Sequence, residues 1–277
     1  MSKLRVGLQL YSVRDDMEKD MDATLKAVAD MGYDCVEFAG YFGKTAEEVK
    51  AMLDKYGLEA VSVHQGYDVF LEDEKANIDY LKTLGVKFCA IPWMDVKKHK
   101  GNDVYPKTVE EITKVAKALK AAGIQMCYHN HDFEFGKYDG KFLLDWLYED
   151  IPADLLETEI DTCWVKYAGY DPCEYLKKYT GRAHIVHLKD FTCKAFASGP
   201  VYALIDDSGK EGEKASKEDN GFMFKPVGSG IQDFPAIIDA AKAAGAEYII
   251  VEQDQSDERP TLEAAKMSRD YLKSIGY

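Results

Sequence analysis

The sequence predicts an α/β protein of the (β/α)8 TIM barrel class, a single domain over residues 1–277 with an insertion after the seventh strand. Three observations predict it. Eight short apolar runs alternate with segments of helical period, the runs recur at regular spacing, and no GxGxxG motif follows the first of them, where "GLQLYSVRD" stands. Alternating β and α units imply parallel strands joined by right-handed crossovers. Eight regular units in about 250 residues fit a closed barrel better than an open doubly wound sheet.

The runs are "LRVGLQLY" from about residue 4, "CVEFAG" from 34, "EAVSVHQ" from 59, "KFCAIPW" from 86, "IQMCYHNH" from 124, "LETEIDTCW" from 155, "AHIVHLKD" from 183 and "EYIIVEQD" from 247. The segments between them read as amphipathic helices. In "TVEEITKVAKALKAAG" the apolar Val109, Ile112, Val115 and Leu119 share one stripe and polar residues fill the other face. Gly32, Gly57, Gly85, Gly123, Gly181 and Gly245 stand where a helical pattern stops just before a strand, as left-handed helix caps do.

Strand starts are 25 to 38 residues apart except the last pair, which are 64 apart. The excess lies in residues 192–227, whose middle is rich in Gly, Ser, Lys, Asp and Glu. It follows a strand's C-terminal end, the barrel face that carries chemistry, so it reads either as a lid or as a surface loop. "VGSG" at 227–230 reads either as a phosphate-gripping turn or as a tight entry to the helix "IQDFPAIIDAAKAAG".

A hydrophobic content of 46% is ample for a core, and a net charge of −14 argues against a nucleic-acid partner. No apolar run approaches the roughly 20 residues of a spanning helix, and "MSKLRVGLQLYS" lacks a signal peptide's apolar region. The expectation is a soluble cytoplasmic protein with no membrane partner. Six cysteines, with no CxxC pair, read as reduced thiols.

In a barrel, the inward residue at each strand's C-terminal end reaches the site. These ends supply Glu37, His64, His129 with His131, Asp161, His187 with Lys189, and Glu252. Asp161, His187 and Glu252 come from neighbouring strands, and two carboxylates with an imidazole suit a divalent metal. In "ETEID" the acids Glu157, Glu159 and Asp161 share one face, from base to mouth. Asp161 is expected to touch the metal and Glu159 to support a ligand histidine or Lys189. Trp93 and Trp164 at strand ends are candidate walls for a sugar ring.

"GLQLYSVRD", "YHNHDFEF", "HIVHLKD" and "VGSGIQDFP", in that order, resemble the signatures of the sugar phosphate isomerase/epimerase group of the xylose-isomerase-like TIM barrel superfamily. A second, distant resemblance is to endonuclease IV, whose strand-six pattern is similar to DTCHxxxxGYD. Here the text is "DTCWVKYAGYD", and Trp164 cannot take the place of that metal-binding His. The resemblance implies one divalent metal ion (Mn, Zn, Co or Mg) held by Asp161, His187, Glu252 and a strand-five residue. His129 stands there in place of the usual Glu, with His131 as the substitute.

Such a cation acts as a Lewis acid on a sugar carbonyl and acidifies the adjacent C–H. Glu252 and His131 or Glu134 are the expected bases, with Lys189 and His64 partnering hydroxyls or developing charge and Glu37 bonding a hydroxyl. The first expected function is a metal-dependent sugar or keto-sugar isomerase or epimerase acting through an enediolate. The alternative is a lyase or dehydratase acting by β-elimination on a 3-keto-glycoside or keto-inositol, and a further alternative is a noncatalytic sugar-binding barrel. The expected partner is a small-molecule carbohydrate, and barrels of this kind often form homo-oligomers.

Overall fold

The computed structural model describes residues 4–194 and 221–277. Eight parallel strands, β1 (Arg5–Gln9), β2 (Cys35–Phe38), β3 (Glu59–His64), β4 (Phe88–Ile91), β5 (Gln125–His129), β6 (Leu156–Asp161), β7 (Ile185–Leu188) and β8 (Tyr248–Val251), pair in chain order and close as a barrel. Each expected run contains one of them. The glycines expected as caps all have positive φ, from 70° at Gly57 to 104° at Gly245, but Gly181 is not a helix cap: the helix before β7 ends at Lys178, is capped by Tyr179, and Gly181 turns the chain two residues later. The helix before β5 spans Tyr105–Ala121, burying Ile112, Val115 and Leu119 against the strands and leaving Val109 half-buried.

Strand periodicity builds the site. Cys35, Cys127, Ile185 and Ile250 belong to an apolar cluster with Val61, Phe88, Ala90 and Tyr248. Two residues further along the same strands come Glu37, His129, His187 and Glu252, so side-chain alternation stacks a polar layer over an apolar plug. The plug keeps bulk water from the base and lowers the local dielectric under the polar layer, which strengthens every interaction there. A register shift between Val36 and Glu37 pairs Glu37 with Ser62 and turns His64 onto the polar layer.

Below the plug, Glu157 meets His184 at 2.6 Å, which gives the first acid of "ETEID" its partner. The excursion after β7 leaves and returns through an antiparallel hairpin, Asp190–Thr192 with Met223–Lys225. Residues 195–220, where the expected lid falls, lie outside the described residues. Of the six unpaired cysteines, Cys35, Cys89, Cys127 and Cys163 are buried, and Cys173 and Cys193 half-buried. Among the described residues no helix is long and apolar enough to cross a membrane.

Candidate metal centre and active cleft

β5, β6, β7 and the end of β8 bring His129, Asp161, His187 and Glu252 together with one donor atom from each within 4.8 Å of the others. Asp161 lies opposite His187 in the β6–β7 register, and its Oδ1 caps the next helix by accepting from the backbone N–H groups of Cys163 (2.8 Å) and Trp164 (3.3 Å). That bond fixes the rotamer and leaves Oδ2 3.6 Å from His129 Nε2. His187 Nδ1 is 3.0 Å from Glu252 Oε2.

The outer nitrogens of both histidines fall on buried carboxylates. His129 Nδ1 is 3.2 Å from Glu159, and His187 Nε2 is 2.8 Å from Glu37 and 3.2 Å from Glu159. A carboxylate behind each imidazole sets tautomer and ring orientation, as metal-ligating histidines require. Burial, then the charges of His187, His64, His131 and Lys189, hold His129 well below the usual histidine range, so its nitrogen is neutral and able to ligate. Burial pushes Asp161 up to about 6, and the neighbouring Lys189 ammonium acts in the opposite direction. The donor set and the carboxylates behind its imidazoles fit a divalent cation. Glu159→Gln is expected to loosen metal binding by about 10–100-fold while the fold persists, measured by competition with a chromogenic chelator.

Lys189 Nζ contacts Asp161 (3.0 Å), Glu252 (2.9 Å) and Asp254 (3.0 Å). Burial disfavours its charge, but those three carboxylates hold its pKa well above the usual lysine value. His64 Nε2 lies 2.6 Å from Glu159 and 3.0 Å from Glu37. Burial again opposes the charge, and the two carboxylates raise His64 to about 10.

Over this centre lies a cleft of about 490 Å³ lined by His64, His129, His131, Lys189 and Glu252 together with Trp93, Tyr11, Arg14, Ala39, Pro92, Phe224, Asp254 and Gln255. Three expected substrate or catalytic residues stand elsewhere. Trp164 is fully buried on the helix after β6 and stacks on Phe222 at 5.7 Å, behind the wall instead of forming it. Glu37 is fully buried beneath the cleft and is taken up by Gln9 (2.6 Å), His64 and His187, which removes it from hydroxyl binding. Glu134 is also fully buried, bonded by the Tyr128 hydroxyl (2.7 Å) and the His131 N–H (2.8 Å). Burial pushes its carboxyl up to about 8, so near neutrality it keeps a proton and anchors the His131 backbone instead of acting as a base.

Sequence reasoning did not single out Asp254, Gln9, Tyr11, Arg14 or Phe224. Asp254 carried a signal, since it follows Glu252 by two residues in "EQD".

The "VGSG" turn does not grip a phosphate here. Asp190 Oδ2 accepts from the N–H groups of Gly228 (3.0 Å) and Gly230 (2.8 Å), and Oδ1 accepts from Phe191 (2.9 Å) and Gln232 (3.2 Å). The chain's own carboxylate fills the backbone cradle an anion would use. A Cβ at Gly230 would come within 2.2 Å of Asp190 Oδ1 and 2.4 Å of the Phe191 carbonyl oxygen. Gly230→Ala is therefore expected to cost about 2–3 kcal/mol, read as a lower urea midpoint at unchanged slope.

The family model described as xylose isomerase-like TIM barrel matches residues 25–275. Over 99% of its length the chain is 27% identical to the inosose dehydratase of Geobacillus kaustophilus, across 309 residues and 96% of that protein. Among solved structures it is similar to a sugar phosphate isomerase/epimerase from Parabacteroides distasonis, with TM-score 0.78, 23% identity, and coverage of 100% of this chain and 96% of that one. It is also similar to the IOLI protein with a binding zinc atom, with TM-score 0.68, 15% identity and 98% coverage of both chains.

Proposed function

This chain belongs to the xylose isomerase-like TIM barrel family, and we propose that within it the protein is a metal-dependent lyase that acts by β-elimination on a keto-polyol, either a keto-inositol or a 3-keto-glycoside. The observation that carries the reading is the full-length similarity to inosose dehydratases, joined to a cleft in which an imidazole, an ammonium and a four-ligand centre converge. The isomerase reading becomes the second one. It shares the first proton transfer, and its support is a likeness of fold to a sugar phosphate isomerase/epimerase.

His129, Asp161, His187 and Glu252 would hold the ion. When bound, the ion supplies Lewis acidity to a ketone oxygen and so acidifies the neighbouring C–H. His131 lines the cleft and is outside that ligand set, so it is assigned removal of the proton. Glu252 is a poorer base, because its Oε2 is shared between His187 and Lys189. The Lys189 ammonium lies beside the centre and offsets charge that develops on the ketone oxygen. His64, carried as an imidazolium by Glu37 and Glu159, is assigned delivery of a proton to the departing oxygen. The zinc of the IOLI protein supports a metal of this kind, and the mixed N and O donors suit several divalent ions.

The test is incubation of the metal-loaded protein with keto-inositol and with methyl 3-keto-β-glucoside, following the ultraviolet absorbance of a conjugated enone. Growth of that absorbance, abolished by chelation and restored by adding metal, is the expected result. A flat trace with both substrates would remove the lyase reading.

A further inference from the structure

We propose that the half of the cleft over β1, β2 and β4 is a leaving-group subsite that takes an aromatic or other ring-bearing alcohol, so that the substrate is a keto-glycoside and not a keto-inositol. This rests on the elimination reading above and narrows it.

The wall is unevenly divided. Over β5, β7 and β8 the cleft is lined mostly by polar groups, His129, His131, Lys189, Glu252 and Asp254, with Phe224 and Gln255 beside them. Over β1–β4 it is lined by Tyr11, Ala39, Pro92 and Trp93, with Arg14 beside Tyr11 and His64 from β3. Trp93 is 47% exposed and Tyr11 42% exposed, and both face one concavity. Single exposed aromatics need no explanation, but two of them lining the same cleft as a candidate catalytic centre offer a surface that a ligand can cover. Arg14 is not turned to an anion. Its Nη1 donates to the carbonyls of Tyr11 (2.9 Å) and Asp254 (2.8 Å), and its guanidinium carbon lies 4.2 Å from the Tyr11 ring centroid, which holds that ring in place.

Reaction geometry connects the two halves. Elimination breaks a bond at the carbon β to the ketone, two carbons from the carbonyl, so a substrate with its ketone over the ligand set from β5–β8 can place the departing group within the half of the cleft over β1–β4. In a 3-keto-glycoside the proton at C2 is removed, the C1–C2 double bond forms as the C1–O bond breaks, and the released oxygen takes up one proton as the free alcohol. No oxidant or reductant enters. If water were the group expelled, this half of the cleft would hold only solvent against Tyr11 and Trp93. An aryl group would cover both with stacking and apolar burial.

Calorimetry of the metal-loaded full chain with phenyl β-glucoside and methyl β-glucoside, neither of which can eliminate, tests the subsite without turnover. The wild type is expected to bind the phenyl compound about tenfold or more tightly, Trp93→Ala to erase most of that preference, and Trp93→Phe to keep it. The kcat/KM ratio of phenyl to methyl 3-keto-β-glucoside should fall in parallel in Trp93→Ala, mainly through KM. Equal binding of the two glucosides, no binding of either, or a phenyl preference that survives both Trp93→Ala and Tyr11→Ala would overturn the proposal. A Trp93-dependent phenyl preference without alcohol release from either keto-glycoside would leave the subsite standing and remove the elimination reading instead.

Discussion

If the proposed centre holds a divalent ion, Asp161→Asn is expected to leave the purified protein without it and to lower kcat/KM by at least about 10³-fold. The substitution isolates the ligand role. Asn keeps an oxygen able to accept from the Cys163 and Trp164 N–H groups, so the helix cap and the local fold persist. Its amide group replaces Oδ2, the oxygen that faces His129 Nε2 and Lys189. A neutral donor there cannot bind a cation, and it also turns N–H groups toward an ammonium. Metal content per chain and turnover should fall together while the thermal transition stays cooperative. Full metal content in Asp161→Asn would show that the ion sits elsewhere.

His131→Asn separates the proposed base from the proposed ligands. Loss of a general base lowers kcat by about 10²–10⁴-fold, and because His131 stands outside the four-residue set the metal content should be unchanged. The ring stacks on Phe133 at 5.9 Å and its backbone is anchored by Glu134, so Asn removes the imidazole without disturbing the strand. KM is expected to move little beside kcat, as for an interaction made mainly in the transition state. If metal were lost together with activity, His131 would be a ligand in place of His129.

The fold was legible because two periodicities and a capping rule agree along the chain. Period two gave each strand its inward face, and the glycines before β2, β3, β4, β5 and β8 marked where helices stop. The same period exposed the candidate metal cluster, since His129, Asp161, His187 and Glu252 are the inward residues at the tops of adjacent strands.

Alternation gives direction, but it does not give depth or the path of the chain past a strand's end. Glu37 points inward as expected, yet it stands low enough that His64, His187 and Gln9 enclose it. Glu134 and Trp164 lie beyond β5 and β6, on a 3-10 turn and a short helix, where period two no longer applies and both side chains turn into the core. The sequence left "VGSG" open between a phosphate grip and a helix entry, and only the folded turn at 228–232 shows that its backbone N–H groups take up the Asp190 carboxylate. Tyr11 and Phe224 reach the cleft from a 3-10 turn and a hairpin, with no periodic pattern to announce them.

Mass spectrometry of the products formed in D2O from methyl 3-keto-β-glucoside and keto-inositol by the metal-loaded protein separates elimination from proton transfer alone. A lyase built as described releases methanol or water and leaves an unsaturated ketone, and Asp161→Asn or chelation stops the release. Recovery of the intact substrate composition, with one deuterium gained at the carbon beside the ketone and an inverted centre or moved carbonyl, would contradict that account and establish the isomerase reading.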